Sequence, residues 1–402
     1  MLSNRVKQLA PSPTIAMATK AKEMIASGIK VIDLSLGDPV LDPSYCVPQH
    51  IKDAAIDALN NKMISYTASA GLPELRQAIV DSIKRYNGLE YSIKDVSVGS
   101  GAKQLIFNSF LATINHGDEV ILPCPAWVSY YDVATMFGAK CVKVHTLMEN
   151  DLKITPKELE AVITPKTKWL VINSPSNPTG AIYTKEELKG IADVLLKYPN
   201  ILVMSDDIYQ HLIFDQDMKF YNILMVEPLL RSRTIIIDGV AKSHGMTGWR
   251  IGYGISSNIE LISKINNVQS QSTSNACTIA QYAAIAALKD DNQTAKLFIK
   301  NIAKRKKIFI DGITDSRVKM NDPKGAFYVF AMIEDLIGKK WNDIVIESDS
   351  VFCELALNQY HVALAAGSSF GMDGYFRASL ASSAEDIKTG AEKLNQFCKK
   401  IK

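Results

Sequence analysis

The sequence has 402 residues, of which 47% are hydrophobic and 22% are charged, an ordinary composition for a globular protein. Its 45 basic and 42 acidic residues leave a formal net charge of +3, so the chain lacks the basic excess that is typical of nucleic-acid-binding proteins. No apolar run reaches the roughly 20 residues that a membrane-spanning helix needs, and a length above roughly 300 residues usually indicates more than one domain.

Two segments in the N-terminal part of the chain have a predicted structural role. Residues 29–42 are predicted to join a small domain that is formed mainly by the C-terminal part of the chain. An amphipathic helix is predicted next, because apolar residues recur on one face at helical spacing. These residues are Ile51, Ala54, Ala55, Ala58 and Leu59.

Seven strand-like apolar runs follow. They cover residues 96–99, 119–123, 141–145, 169–173, 201–205, 234–237 and 251–255. Several are short and continuously apolar, which is typical of strands that are buried on both faces. Helical patterns, such as residues 185–197, lie between many of them. This alternation predicts an α/β fold whose large domain holds a mostly parallel seven-stranded sheet between helices.

From about residue 290 the pattern changes. A basic helical stretch leads to short strand-like segments and a further helix, which together predict a smaller α+β domain. The predicted division is an N-terminal arm with part of the small domain at 1–45, a large domain at 46–290 and a small C-terminal domain at 291–402.

Polar and aromatic side chains follow the ends of the predicted strands. They are Gly101, Ala102 and Lys103, then Trp127, Asn177, Asp206, Tyr209, Lys242 and Arg250. Open α/β sheets bind ligands beyond the carboxyl ends of their strands, so we expect these side chains to converge at one edge. The helix N-termini at that edge suit an anion.

This set of groups matches the needs of pyridoxal phosphate. The aldehyde of that cofactor needs an amine, its pyridine nitrogen an acid and its phosphate an anion pocket. Its phenolate oxygen needs donors, and its ring needs a flat partner. Neither the six cysteines nor the six histidines have the spacing of metal ligands, so no metal is expected. The absence of a disulfide pattern and of a secretory signal favours the cytoplasm.

Six blocks of the sequence resemble those of class I aminotransferases and occur in the order of that family. They are YTASAGLPELR at 66–76, GAKQ at 101–104, NSPSNPTG at 173–180, SDDIY at 205–209, GVAKSHGMTGWRIG at 239–252 and FRASLASS at 376–383. The fifth block matches the family's cofactor-lysine signature at every constrained position. The chain is most similar to bacterial aspartate aminotransferases of the subgroup with a Gly-x-Lys-Gln block. The resemblance implies fold type I of the pyridoxal-phosphate-dependent transferases.

The resemblance also implies roles for individual residues toward the cofactor. Lys242 would bind pyridoxal phosphate as a Schiff base and later move the substrate's proton, and Asp206 would pair with the pyridine nitrogen. Its neighbour Asp207 is interpreted as solvated or helix-capping. The other implied contacts are Asn177 and Tyr209 at the phenolate oxygen, Trp127 on the ring, and Gly101, Ala102 and Arg250 at the phosphate.

Two further implications concern the partner subunit and the substrate. Tyr66 would reach the phosphate of a neighbouring subunit, which implies a homodimer with shared active sites. Arg377 would bind the α-carboxylate, and Gly37 would let the backbone approach it. Lys103 would bind the distal carboxylate of aspartate or glutamate. A helix's first turn disfavours a cation, so a function for Lys103 is favoured over a solvated side chain.

The implied reaction is a ping-pong transfer of an amino group from L-aspartate to 2-oxoglutarate through the pyridoxamine form of the cofactor, with Trp127 and Asn177 also near the substrate. Some subgroup members accept prephenate and carry a Pro-Ser-x-Thr element, which PSPT at 11–14 resembles. The same lysine and acid would serve a prephenate/glutamate, aromatic or alanine aminotransferase, or a β-lyase, so these alternatives stay open.

Three other interpretations complete the prediction. A pyridoxal-phosphate-binding transcription regulator is disfavoured, because the aminotransferase-like region begins too near Met1 for a DNA-binding domain. Ala126 and Ala366 depart from the residues that are usual in the family near the substrate. Phe327 and Tyr328 are interpreted as core residues, with the alternative that one of them lines the substrate pocket.

Overall fold

The computed structural model describes residues 2–7, 9, 13–41, 45–290 and 293–402. The α-helices are α1 (Asn4–Lys7), α2 (Pro13–Ala26), α3 (Gln49–Asn61), α4 (Pro73–Asn87), α5 (Ala102–Thr113), α6 (Val128–Met136), α7 (Pro156–Val162), α8 (Lys185–Leu196), α9 (Ile223–Val226), α10 (Val240–Ser243), α11 (Ile259–Ser270), α12 (Thr278–Lys289), α13 (Gln293–Gly312), α14 (Asp349–Tyr360) and α15 (Ala384–Lys400). The strands are β1 (Ile32–Asp33), β2 (Val96–Gly99), β3 (Glu119–Cys124), β4 (Lys140–His145), β5 (Thr167–Asn173), β6 (Leu202–Asp206), β7 (Thr234–Gly239), β8 (Gly252–Ile255), β9 (Lys319–Met320), β10 (Tyr328–Met332), β11 (Lys340–Trp341), β12 (Ile344–Val345), β13 (Val362–Ala363), β14 (Ala365–Ala366) and β15 (Tyr375–Ser379).

Seven strands form the larger sheet, in the order β2-β8-β7-β6-β5-β3-β4. Strand β8 is antiparallel to both of its neighbours. The remaining pairs are parallel. The predicted α/β fold with a mostly parallel seven-stranded sheet is therefore confirmed. Strand ends differ slightly from the prediction, since β5 begins at Thr167 and β7 continues to Gly239.

Helices cover both faces of this sheet. In β5, Leu170 and Ile172 pack into one apolar cluster with residues of α3, α4, α8 and α12. Trp169 and Val171 pack into another cluster with residues of α5, α6 and α11. Because alternate side chains of a strand point to opposite faces, a sheet that is covered on both sides needs continuously apolar strands. This explains the apolar runs in the sequence.

The ends of the helices follow from local hydrogen bonding. Before α8, the Thr184 hydroxyl accepts from the Glu187 amide, and the Glu187 carboxylate accepts from the Thr184 amide. This reciprocal pair satisfies two donors that a helix start leaves open. At the end of α4, Gly88 adopts the left-handed conformation with a φ of 68°, which closes that helix.

A smaller antiparallel sheet has the order β14-β15-β10-β9. Separately, β1 pairs in parallel with β13, so that Ile32 lies opposite Val362. The segment around β1 therefore lies against the C-terminal part of the chain. The domain bounds at residues 45 and 290 stay a prediction. No helix in the described part of the chain is long and apolar enough to cross a membrane.

Helix α3 buries a narrower face than the sequence pattern predicted. Ile51, Ala55 and Ala58 are buried, Ala54 is half-buried, and Leu59 is 57% exposed. The prediction for Leu59 is therefore wrong. Eight residues after Ile51, Leu59 is rotated by about 80° around the helix, which places it at the edge of the face that α12 covers.

Candidate active site

A cavity of about 330 Å³ lies at the edge of the larger sheet where the parallel strands end, and residues of the smaller sheet complete its wall. Of the residues predicted from the sequence, it is lined by Gly37, Ala102, Lys103, Trp127, Asn177, Asp206, Tyr209, Lys242, Arg250 and Arg377. The structure thus brings together all of the predicted residues except Gly101 and Tyr66.

Lys242 lies in the short helix α10, directly after β7. Its Nζ donates to the carbonyl oxygen of Gly37 at 2.6 Å. Its own carbonyl oxygen accepts from the Tyr45 hydroxyl at 2.6 Å, a contact that the sequence did not reveal. Burial lowers the pKa of Lys242 to about 8, with Arg377 and Arg250 acting in the same direction. Such a lysine has an appreciable amine fraction near neutral pH and can act as a nucleophile or base.

Asp206 ends strand β6 and is buried. Burial raises its pKa to about 6, and a hydrogen bond from Tyr130 opposes that rise. A carboxyl group in this state can share a proton with a basic ring nitrogen. Tyr130 was missed in the sequence, although it follows Trp127 by three residues on the first turn of α6 and therefore lies near it.

The structure corrects the interpretation of Asp207. It was expected to be solvated or to cap a helix, but it is buried. Its carboxylate accepts from the Ser205 hydroxyl at 2.6 Å and from Nδ2 of Asn222 at 2.9 Å. It is Asn222, not Asp207, that caps a helix, at the start of α9. These two donors offset only part of the loss of water, because burial raises the pKa of Asp207 well above its usual value.

Asn177 and Arg377 orient each other. Nη1 of Arg377 donates to Oδ1 of Asn177 at 2.9 Å, and Nη2 donates to the carbonyl oxygen of Ser35. Because Oδ1 of Asn177 is engaged, its Nδ2 is the donor that remains for the cavity. Nε of Arg377 is buried and has no acceptor among the described residues, whereas Nη1 and Nη2 each keep one further N–H that a bound carboxylate could accept.

The start of helix α5 and Arg250 form the anion-binding part of the cavity. The first amides of the helix, at Ala102 and Lys103, have no intrahelical acceptor. The Gly101 amide was expected to donate to the phosphate, but it donates to the carbonyl oxygen of Gly99 at 2.8 Å. Gly101 provides space: its φ is +85°, and a Cβ there would lie 2.2 Å from Nη2 of Arg250.

Lys103 and Trp127 form the part of the wall beside α5 and α6. Nζ of Lys103 lies 4.7 Å from the centroid of the Trp127 ring. Burial and the nearby Arg250 lower the pKa of Lys103, whereas Asp132 raises it. A partly desolvated cation in a cavity wall can bind an anionic group strongly.

Tyr328 is a wall residue, and Phe327 is a core residue. The hydroxyl oxygens of Tyr328 and Tyr209 are 3.0 Å apart, and the Tyr328 side chain lines the cavity. Phe327 is completely buried in the apolar cluster of the smaller sheet. Of the two residues only Tyr328 lines the cavity, as the alternative interpretation expected, and the two rings pack together with their centroids 4.5 Å apart.

One predicted residue, Tyr66, lies away from the cavity of its own chain, and one predicted element lies partly outside the described residues. Tyr66 is 89% exposed and does not line the cavity of its own chain. Pro11 and Ser12 of the PSPT element lie outside the described residues.

The groups in the cavity fit pyridoxal phosphate. Lys242 offers the amine, Asp206 the acid, Asn177 and Tyr209 the donors, and Trp127 the flat surface. The start of α5 with Arg250 offers the anion pocket. No three His, Cys, Asp or Glu side chains form a metal-ligand cluster in the described ranges.

Comparison with known proteins agrees with this chemistry. Residues 29–394 match the family model described as aminotransferase class I and II. The aspartate/prephenate aminotransferase of Cereibacter sphaeroides is 42% identical, over 99% of this chain and 98% of that protein. That of Nitrosomonas europaea is 41% identical, over 98% of each chain.

Solved structures give the same result. The aspartate aminotransferase of Rhizobium meliloti superposes with a TM-score of 0.94 at 35% identity, over 100% of both chains. The aspartate aminotransferase of Thermus thermophilus with maleate gives a TM-score of 0.90 at 34% identity, over 99% of both chains.

Proposed function

The chain belongs to the class I and II aminotransferase family, and we propose that it transfers the amino group of L-aspartate to 2-oxoglutarate by a ping-pong reaction. The proposal rests mainly on one observation. Lys103 and Arg377, two cations from different elements, line the same cavity as Lys242. Aspartate and 2-oxoglutarate each carry two carboxylates, so one pair of cations can serve both. The names of the relatives agree with an aspartate-using enzyme.

Pyridoxal phosphate is the cofactor of this enzyme, and when bound it supplies an electron sink that makes the substrate's α-proton acidic. In our proposal, Lys242 holds the cofactor and, once its amine is released, moves the proton at the α-carbon. Its lowered pKa lets the amine accept a proton near neutral pH. Asp206 keeps the ring nitrogen protonated, and Tyr130 holds the carboxylate in place.

The remaining cofactor contacts are assigned to other residues that line the cavity or begin helix α5. Nδ2 of Asn177 and the Tyr209 hydroxyl donate to the phenolate oxygen. Trp127 packs on the ring. The phosphate binds to Arg250 and to the helix start at Ala102, where backbone amides and the helix dipole favour an anion.

Substrate binding is assigned to three residues. Arg377 binds the α-carboxylate, since it lines the cavity and each of its terminal nitrogens keeps one further N–H. Gly37 lets the backbone lie against that carboxylate, and its carbonyl releases Nζ of Lys242 when the lysine reacts. Lys103 binds the distal carboxylate.

The assignment is tested by mixing the purified holoenzyme with single amino acids and recording the cofactor's absorbance. Aspartate and glutamate should convert the cofactor to its amine form at much lower concentration than alanine does. Conversion by alanine but not by aspartate or glutamate would contradict the dicarboxylic assignment while leaving an aminotransferase.

The substitution Lys103→Ala should reduce kcat/KM for aspartate and glutamate by roughly 10- to 100-fold, the equivalent of one charged hydrogen bond. The value for alanine should change by less than about two-fold, because alanine has no distal carboxylate. The matched control is Lys143→Ala, since Lys143 packs over Tyr131 and does not line the cavity. Equal losses for alanine and aspartate would contradict this role of Lys103.

A second candidate amino acceptor is prephenate. Several relatives, including the protein of Cereibacter sphaeroides, are named aspartate/prephenate aminotransferases. Prephenate is a 2-oxo acid with a second carboxylate on its ring, so it offers the same two anionic groups as 2-oxoglutarate. Reaction of the amine form of the enzyme with prephenate, followed by the return of the original absorbance, would support this candidate.

We further propose that the protein is a homodimer with shared active sites. Leu59, Met63 and Tyr66 are all more than half exposed, and adjacent exposed apolar side chains are typical of an interaction surface. In such a dimer Tyr66 would bind the phosphate in the partner's cavity. The six cysteines are free, which suits our further assignment of the protein to the reducing cytoplasm.

A further inference from the structure

We infer that Tyr328 is a positioning residue with two separable parts: its hydroxyl directs the proton of Tyr209 into the cavity, and its ring holds the guanidinium of Arg377. The inference rests on the proposed roles of Tyr209 toward the cofactor and of Arg377 toward the substrate.

The hydroxyl part follows from counting protons. The hydroxyl oxygens of Tyr209 and Tyr328 are 3.0 Å apart, and both side chains are buried. A phenol has one proton, so Tyr209 can donate either to Tyr328 or to a group in the cavity. An ionised oxygen is a stronger acceptor than a neutral phenol. A phenolate in the cavity would therefore accept the hydrogen bond from Tyr209 in preference to Tyr328. Tyr328 then donates to Tyr209, and each bond of this chain strengthens the other.

The ring part follows from the position of the Arg377 guanidinium. Its central carbon lies 4.5 Å from the centroid of the Tyr328 ring and 4.9 Å from that of Phe370. Contact with aromatic faces stabilises a buried cation and restricts its plane. Two of its nitrogens already donate, to Asn177 and to Ser35. The rings therefore fix the plane in which the three remaining N–H groups, on Nε, Nη1 and Nη2, can face a carboxylate.

The backbone around Tyr328 fixes the place of its hydroxyl. A Cβ at Gly37 would lie 2.3 Å from the Tyr328 hydroxyl oxygen, so only glycine allows this approach. The carbonyl of the same Gly37 accepts from Nζ of Lys242. In the sheet, Tyr328 lies opposite Ser379, and Phe330 lies opposite Arg377. Tyr328 thus contacts Tyr209 and Arg377 and lies beside Gly37, which binds Lys242.

Two variants separate the two parts. Tyr328→Phe removes the hydroxyl and keeps the ring, whereas Tyr328→Leu removes both. Tyr375→Phe is the matched control, because Tyr375 is another buried tyrosine of the smaller sheet, stacks on Phe330, and does not line the cavity. Each holoenzyme is titrated with acid and base while the cofactor's absorbance is recorded, and then with maleate, an unreactive dicarboxylate.

In Tyr328→Phe, the pH at which the cofactor changes colour should rise by roughly 0.5 to 1 unit, the shift that corresponds to one neutral hydrogen bond. Its maleate affinity should stay within about two-fold of that of the wild type, because the ring remains. In Tyr328→Leu, maleate should also bind roughly 3- to 30-fold more weakly, as expected for the loss of one cation–ring contact.

An unchanged colour transition in Tyr328→Phe would overturn the hydroxyl part. A maleate affinity that falls as far in the Phe variant as in the Leu variant would overturn the ring part. If the Leu variant does not fold, the Phe variant alone still tests both parts, because it must shift the colour transition and preserve maleate binding. Failure of the proposed function is distinguishable, since the wild-type enzyme would then fail to bind maleate or to react with aspartate.

Discussion

Asp238 is a buried carboxylate that the proposed mechanism does not use. It accepts from Nε2 of Gln210 at 2.6 Å, from the Tyr253 hydroxyl at 3.1 Å and from the Gly239 amide at 2.7 Å. Burial nevertheless raises its pKa to about 7, and the neighbouring Asp206 acts in the same direction. Its hydrogen bonds therefore do not fully compensate for the loss of water.

This raised pKa makes stability depend on pH. Folded Asp238 keeps its proton up to about pH 7, whereas an unfolded aspartate loses it near pH ~3.9. Protonated Asp238 contributes fully to the free energy of unfolding below the pKa that it has in the unfolded chain. This contribution is lost as the pH rises to the pKa that it has in the folded protein. Between about pH 4 and 7 the folded state binds more protons than the unfolded state, so Asp238 lowers stability as the pH rises.

The substitution Asp238→Asn should therefore stabilise the protein relative to the wild type more at pH 8 than at pH 5. The folded state alone keeps the proton over about two pH units of this interval, so the difference in unfolding free energy should be on the order of 3 kcal/mol, at about 1.4 kcal/mol per unit. A joint flip of the Gln210 and Asn87 amides can satisfy the new side chain. Gln210 would then accept from the new amide and donate to Oδ1 of Asn87, which is buried without a partner in the described part of the chain.

Urea denaturation at pH 5 and pH 8 measures this effect. Asp373→Asn, at an exposed position, is the control and should show no such difference between the two pH values. An equal effect of Asp238→Asn at both pH values would mean that Asp238 is already ionised at pH 5.

The sequence could locate most of the cavity because its residues directly follow strands that share an edge. It could not locate Tyr328 in the same way, because that residue comes from the smaller sheet and reaches the cavity by tertiary packing alone. It also misplaced Asp207, whose burial depends on a partner, Asn222, that is distant along the chain. Whether a polar residue beside a strand end is solvated or buried depends on its hydrogen-bond partners, and the spacing of residues in the sequence does not show which residues these are.

The start of helix α5 is placed by direct backbone contact with strand β8. A Cβ at Gly252 would lie 2.1 Å from the backbone nitrogen of Ala102 and 2.5 Å from the carbonyl carbon of Gly101. Neither atom belongs to a flexible side chain, so the helix start or the strand would have to move. Because the amides of this helix start belong to the proposed phosphate pocket, the glycine controls the geometry of that pocket.

We expect Gly252→Ala to weaken pyridoxal phosphate binding by roughly 5- to 150-fold, since overpacking of this kind costs on the order of 1 to 3 kcal/mol. Gly248→Ala is the matched control, because a Cβ at Gly248 meets no atom within 4 Å. Cofactor affinity is measured by titration of the apoprotein, and thermal unfolding in the same buffer reports any loss of folding. Unchanged affinity in a folded Gly252→Ala protein would contradict the proposed phosphate position.

The elements of the larger sheet were predictable because each strand is buried on both faces and is therefore apolar throughout. Helix α3 was less predictable, since its edge position Leu59 has the pattern of a buried residue and yet is exposed in the single chain. The apolar pattern of the sequence does not distinguish burial within a chain from burial between chains.

The exposed position of Tyr66 bears on the proposed assembly of two chains. Its side chain is 89% exposed, next to the equally exposed Met63. It belongs to a sequence block that resembles the family's, and yet it lies away from the cavity of its own chain. A tyrosine in that position can act on a phosphate only if the phosphate belongs to another subunit.

Subunit complementation tests this assembly. Lys242→Ala and Tyr66→Phe are expressed separately, mixed under dissociating conditions and reassociated, and activity is measured at limiting pyridoxal phosphate. In a mixed dimer, the subunit with Lys242 would receive an intact Tyr66 from its partner and form one complete site. The mixture should therefore exceed the summed activities of the two parents. Tyr66→Phe alone should bind the cofactor roughly 10-fold more weakly, as expected for one hydrogen bond to a charged group. If Tyr66 served its own chain, the only subunit with Lys242 would still lack the hydroxyl, and mixing would give no gain.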